Sequence, residues 1–296
     1  MTEIIRSLAD LSGRYDAVFC DLWGCLHDGQ KAFPAAVAAL QGFRANGGTV
    51  VLLTNSPRPK DSVIKQLDGL MVPRDAWDII ATSGDAAQMG MLSGAVGRRV
   101  HHIGAPKDEV FFTDFADDLQ AYTKSQPPIS RVALKDAEGI VCTGLFDDLT
   151  ETPDDYRAAL LLGKTLGLPM LCANPDIVVD MGDKRLYCAG ALAQAYEAMG
   201  GTALYFGKPH PPIYDLARRR LSELTGQSDA QILCIGDGIA TDVQGGMSEG
   251  LDALFITGGL AAQEFGVDVE NPDAALLGPW LDAQQRAPNF AMGRLR

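Results

Sequence analysis

Short apolar runs that end in polar residues alternate along this chain with stretches of helical spacing, and that alternation leaves few folds open. Near the N-terminus the order is DAVFCDLW (16–23), PAAVAALQGFRANG (34–47), TVVLLTN (49–55), KDSVIKQLDGLMV (60–72) and WDIIATS (77–83). The runs are continuously apolar rather than alternating, as expected of strands buried on both faces. The intervening segments carry apolar residues at helical spacing and stop at Gly or Asn. Strand, helix, strand, helix, strand predicts an α/β fold with a parallel sheet and helices on both faces. Right-handed crossovers then bring the carboxyl ends of the strands to one edge, where open α/β sheets bind their ligands.

The last hundred residues repeat the pattern: TALYFG (202–207), PPIYDLARRRLSELTG (211–226), QILCIG (231–236), IATDVQGGMSEG (239–250) and LDALFIT (251–257). The stretch between is less regular. It holds RRVHHIG, GIVCTG, PMLCANPD and two helical runs, and is long enough to be a second α/β domain. The expected organisation is a core domain over 1–83 plus 202–296 and an inserted α/β domain over 84–201. The ending NFAMGRLR reads as a tail, docked or loose.

Four strand exits carry polar chemistry. The first presents Asp21, the second Thr54-Asn55-Ser56, the third Lys208, and the fourth Asp237 with Asp242 in the following helical turn. Each alone is weak, since an acid after a strand is often only a cap. The ordered set is specific. With DLWGCLHDG, LLTNSPR, FGKPHPPIY and GDGIATDVQGG, and with ANPD late in the insertion, the chain resembles the haloacid dehalogenase (HAD) superfamily. Within it, the resemblance is to subfamily IIA, the nucleotidase and 4-nitrophenylphosphatase branch.

The resemblance implies a Rossmann-like core with an inserted cap, and a phosphohydrolase acting on a small phosphorylated metabolite. It implies Asp21 as the nucleophile, and Mg²⁺ held by Asp21, Asp237 and the backbone carbonyl of Trp23. Thr54, Lys208 and N–H groups near Asn55 and Gly24 would hold the phosphoryl oxygens. Asp242 would orient Lys208 or a water, and Asn174 of ANPD is a substrate contact in the cap, with Asp176 and Arg58 as further candidates. Physical chemistry agrees, because a phosphoryl group spreads negative charge and its transfer needs positioning and charge neutralisation. A Mg²⁺ ion reconciles paired carboxylates with an anion.

One position departs from that pattern. Trp23 stands where family phosphatases carry the Asp that protonates the leaving group. Indole is a donor with no useful pKa. Three readings stay open: a phosphatase with its acid supplied by His27 or Asp28, or with a substrate whose leaving group needs none; a dehalogenase- or phosphonatase-like enzyme; and a phosphate-ligand binding protein with little activity. Either loop residue could equally be a turn cap.

Composition narrows partners. The formal net charge of −13 argues against nucleic acid and against an anionic membrane surface. No apolar run approaches membrane-spanning length, and no export signal is visible at the N-terminus. Six cysteines, none in a CxxC pair, read as buried reduced thiols of a cytoplasmic protein. His101 and His102 are strand neighbours that point to opposite faces, so they read as structural. Cap-mediated homodimers occur in the subfamily and are an option here.

Overall fold

The computed structural model describes residues 2–181 and 184–296. Met1, at the head of the expected core, and residues 182–183, within the expected insertion, lie outside the described residues. Packing divides the chain into two units: residues 1–54, 66–81 and 214–296 form the first, and residues 55–65 and 82–213 the second.

The first unit is built on a seven-stranded sheet. Its order is Glu3–Ile4, Phe290–Met292, Asp252–Ile256, Ile232–Gly236, Ala17–Cys20, Thr49–Thr54 and Ile79–Thr82. Every pairing whose register is described is parallel. This is the predicted α/β fold, with helices on both faces. The strands Ala17–Cys20 and Ile232–Gly236 are buried at every position, which is why their sequences show no polar alternation. The helix Pro34–Ala45 starts with Pro at its first turn and buries Ala36, Val37, Leu40 and Phe43. The C-terminal segment is docked: Phe290–Met292 enters the sheet between Glu3–Ile4 and Asp252–Ile256.

The second unit holds a five-stranded parallel sheet, ordered Thr202–Tyr205, Pro169–Cys172, Gly139–Cys142, Arg99–Ile103 and Ser130–Arg131, and an antiparallel hairpin of Val178–Met181 with Lys184–Tyr187. The strand TALY was expected to open the second part of the core. It instead pairs with Pro169–Cys172 in this sheet. The cause is local. The helix Ala189–Ala198 ends only a few residues before it, and so short a connection returns the chain to the sheet that the helix already covers. Residues 55–65 also pack with this unit rather than with the expected 1–83 segment.

All six cysteines are buried, and none is in a disulfide. No described helix is long and apolar enough to cross a membrane.

Candidate active site

In the first unit, register places the acids. Cys20 is opposite Ile235, and the Asp21 N–H donates to the Ile235 carbonyl at 2.8 Å. Asp21 and Asp237 therefore leave adjacent parallel strands at the same edge. The strand ending in Thr54 flanks Asp21 on its other side. Asp21, Asp237, Asp242 and Thr54 are all buried.

The Asp21 and Asp237 carboxylates and the Cys25 thiol each offer an atom within 4.8 Å of the others. The Asp237 carboxylate is held tightly. Its Oδ2 accepts the Leu260 N–H at 2.9 Å. A Cβ on Gly24 would fall 2.0 Å from that oxygen, and so would one on Gly259. Gly24 also has φ +73°, a conformation other residues adopt only under strain. The two glycines let backbone close on a carboxylate from two sides. Burial, and then the neighbouring Asp237 and Asp21, push the Cys25 thiol well above its ordinary pKa.

The donor chemistry fits Mg²⁺. A hard cation takes carboxylate oxygens at closely spaced positions, whereas a thiol suits softer metals. Asp21 and Asp237 supply those oxygens.

Asp242 acts on the loop that follows Asp237. Its Oδ2 accepts the Gly238 N–H at 3.1 Å and the Thr241 hydroxyl at 3.4 Å. A side chain on Gly236 would collide with it. Asp242 thus fixes the turn that carries Asp237.

The loop after Asp21 shows what Trp23 does locally. The half-buried indole lies on Gly29, where a Cβ would come within 2.2 Å of the ring, and meets the His27 ring edge to face with centroids 5.2 Å apart. His27 is fully buried, and its Nδ1 accepts the Gly29 N–H at 3.1 Å. Burial lowers its pKa to about 4. Asp28 Oδ1 accepts the Gln30 and Lys31 N–H groups, each at 2.9 Å. Its pKa is lowered: partial burial opposes the shift, and these N–H groups with the Lys31 charge outweigh it. Both residues are used as loop caps.

In the second unit, Asn55 does more than its expected backbone role. Its side-chain amide grips the Lys208 peptide from both sides: Oδ1 accepts the Lys208 N–H at 2.7 Å, and Nδ2 donates to the Lys208 carbonyl at 3.1 Å. Nδ2 also donates to Asp176 Oδ1 at 2.8 Å. Asn174 Oδ1 accepts the Asp176 N–H at 3.0 Å, so Asn174 shapes the ANPD turn. Lys208 is buried. Next to it, a Cβ on Gly207 would come within 2.6 Å of Ser83 Oγ, a buried hydroxyl with no hydrogen-bond partner among the described residues.

Arg58 lies in the charge environment of buried Asp108, whose pKa burial raises. His101 Nδ1 pairs with the Val132 carbonyl, and His102 Nε2 with Thr143 Oγ1. The two histidines are structural, as strand neighbours should be.

Sequence reading placed Asp21, Gly24, Thr54, Asn55, Lys208, Asp237 and Asp242 in the core and Asn174 in the cap; the structure keeps Asp21, Gly24, Thr54, Asp237 and Asp242 in the first unit but packs Asn55 and Lys208 with Asn174 in the second. Sequence reading missed Cys25, Gly259 and the Asn55 clamp. The one available signal was Gly258-Gly259 directly after the strand LDALFIT.

A profile of haloacid dehalogenase-like hydrolases matches residues 18–116, and a HAD-hydrolase-like profile matches residues 205–276. A crystal structure of a haloacid dehalogenase-like hydrolase from Brucella suis 1330 shares 40% identity, covering 99% of this chain and 100% of that one, with a TM-score of 0.83.

The chain belongs to the haloacid dehalogenase superfamily.

It is an enzyme of the HAD phosphatase type. The ribonucleotide monophosphatase NagD of Escherichia coli (strain K12) is 25% identical over 263 residues, covering 83% of this chain and 88% of that protein. The glycerol phosphate phosphatase of Mycobacterium tuberculosis, solved with magnesium, is 24% identical with a TM-score of 0.63, covering 86% of this chain and 71% of that one; at that identity it speaks for the fold. These neighbours are consistent with subfamily IIA. Being a HAD protein accounts for two features at once: the strand order around Asp21, and the second α/β unit whose main segment interrupts the first in sequence.

Proposed function

We propose that this HAD enzyme is a Mg²⁺-dependent phosphohydrolase of a small phosphorylated metabolite, with Asp21 as the nucleophile. One observation carries the reading: the Asp21 and Asp237 carboxylates converge within 4.8 Å at the ends of adjacent strands, with backbone closed around Asp237. Two acids so placed repel an anionic substrate unless a cation lies with them. Mg²⁺, when bound, supplies the charge that lets the phosphoryl group approach.

The chain's own residues take the remaining roles. Asp237 and the Trp23 carbonyl join Asp21 as oxygen ligands. The Asp21 carboxylate attacks phosphorus. The Thr54 hydroxyl, the N–H groups of Gly24 and Asn55, and the Lys208 ammonium hold the phosphoryl oxygens. Asp242 positions the Asp237 turn. Asn174 belongs to the surface that selects the rest of the substrate, and the second unit serves as the cap. A relative's name supports the substrate class, since that protein acts on ribonucleotide monophosphates. A cytoplasmic setting fits six buried cysteines with no disulfide. A homodimer is part of the reading by subfamily likeness alone. A metal-free dehalogenase is disfavoured, because it leaves Asp237 beside Asp21 without a task.

The test is hydrolysis of 4-nitrophenyl phosphate with Mg²⁺ and then with EDTA. Turnover that needs Mg²⁺ is expected. Halide release without metal, or tight binding of phosphorylated ligands with no turnover, would replace this reading with one of its rivals.

A further inference from the structure

We infer that the natural substrate carries a weakly basic leaving group, of the acyl phosphate, phosphoanhydride, enol phosphate or aryl phosphate kind, rather than an alkoxide. This rests on the phosphohydrolase reading above and narrows it to a substrate class apart from the alkyl esters that the relatives' names describe. The argument is a census of proton donors on the loop that follows Asp21.

Trp23 has no acidic proton, and its indole is seated on Gly29. His27 is fully buried: its Nδ1 takes the Gly29 N–H, so the ring proton sits on Nε2, which is sealed from solvent and has no hydrogen-bond partner among the described residues. Asp28 Oδ1 takes two backbone N–H groups in the turn it caps, contacts that favour the ionised carboxylate over the acid. Cys25 is 1% exposed and sits with the Asp21 and Asp237 carboxylates. Among the described residues of this loop, none presents an acid to a departing group. The indole and its glycine form a built contact rather than a gap: the space over Gly29 is occupied by the ring.

The bond changes then balance without an enzyme acid. An Asp21 oxygen forms a bond to phosphorus while the bond from phosphorus to the leaving oxygen breaks. The electron pair departs on that oxygen as carboxylate, phosphate, enolate or phenolate, which is stable without a proton. Water next forms a bond to phosphorus, the bond to Asp21 breaks with its pair returning to the carboxylate, and the water proton leaves on the phosphate product. An alkyl phosphate fails at the first step, because an alkoxide needs a proton as it leaves. General acid catalysis of that step is worth about 10²–10⁴-fold.

The experiment uses the full chain with Mg²⁺ and compares kcat/KM across ring-substituted phenyl phosphates of graded phenol acidity, with acetyl phosphate and ethyl phosphate at the extremes. The phenyl series keeps ring and size nearly constant, so a trend within it reports leaving-group chemistry rather than recognition. The expected result is a steep fall as the phenol becomes less acidic, with ethyl phosphate about 10²–10⁴-fold below 4-nitrophenyl phosphate. A flat phenyl series with ethyl phosphate turned over equally well would overturn the inference and leave the phosphohydrolase standing. No hydrolysis of any member, acetyl phosphate included, would remove the phosphohydrolase reading and this inference with it.

Discussion

At the residue scale, the acids Asp21, Asp237 and Asp242 were legible because each follows an apolar run, and strand ends in an α/β fold converge. Gly259 and Cys25 were not. Gly259 matters only because its strand exit passes over Asp237, a neighbour distant in sequence, and Cys25 only because its loop turns back towards both acids. The two glycines give a sharp prediction. Gly259→Ala or Gly24→Ala places a methyl group 2.0 Å from Asp237 Oδ2. Each is expected to destabilise the fold by about 1–3 kcal/mol and to weaken Mg²⁺ binding. Urea unfolding and calorimetric Mg²⁺ titration check it. Wild-type Mg²⁺ affinity in both variants would show that the Asp237 carboxylate is not held for a cation. Asp28→Asn makes a contrasting case. A turn cap that contributes no proton should cost about 1 kcal/mol or less while kcat stays within a few-fold of wild type, and a loss of kcat beyond about 10²-fold would make Asp28 the acid after all.

At the element scale, the alternation of strand and helix was written in the sequence because buried parallel strands and amphipathic helices differ in period. The edge pieces were not. Phe290–Met292 is three residues long and gains its place only by pairing with strands at both ends of the chain. The strand Thr202–Tyr205 looks like the core strands, and its sheet is decided by the length of a turn rather than by its own residues. The Asn55 clamp is also an effect of elements, joining the segment after one strand to the segment before the helix Pro211–Thr225. Asn55→Ala leaves a buried Lys208 N–H and carbonyl without these partners. It is expected to cost about 1–3 kcal/mol and to raise KM for phosphorylated substrates more than Asn55→Asp, which keeps the acceptor of the Lys208 N–H. Equal KM values in the two variants and wild type would mean that the clamp does not position Lys208.

At the scale of the whole molecule, composition gives the net charge but does not locate it. Two histidines, His27 buried in the first unit and His102 half-buried in the second, illustrate what burial adds. His27 and His102 both have pKa values lowered to about 4, chiefly because burial disfavours the imidazolium. In the unfolded chain the value is about 6.5. Between those values the unfolded chain binds more protons. Their stabilisation is therefore complete above about pH 6.5 and is lost as pH falls towards 4, by up to about 3 kcal/mol each. Urea midpoints should drop between pH 7 and pH 4.5, and His27→Gln should flatten part of that slope. A midpoint constant across that range would contradict the neutral state of both rings.

The account stands or falls on Asp21 as the group that takes the phosphoryl. The direct measurement is mass spectrometry of peptides from enzyme mixed with acetyl phosphate or 4-nitrophenyl phosphate and Mg²⁺, then quenched in acid within its first turnovers. The prediction is a hydroxylamine-labile phosphoryl group on the peptide carrying Asp21, absent from Asp21→Asn and absent when EDTA replaces Mg²⁺. Turnover with no phosphopeptide at Asp21, or with one at another residue, would contradict it.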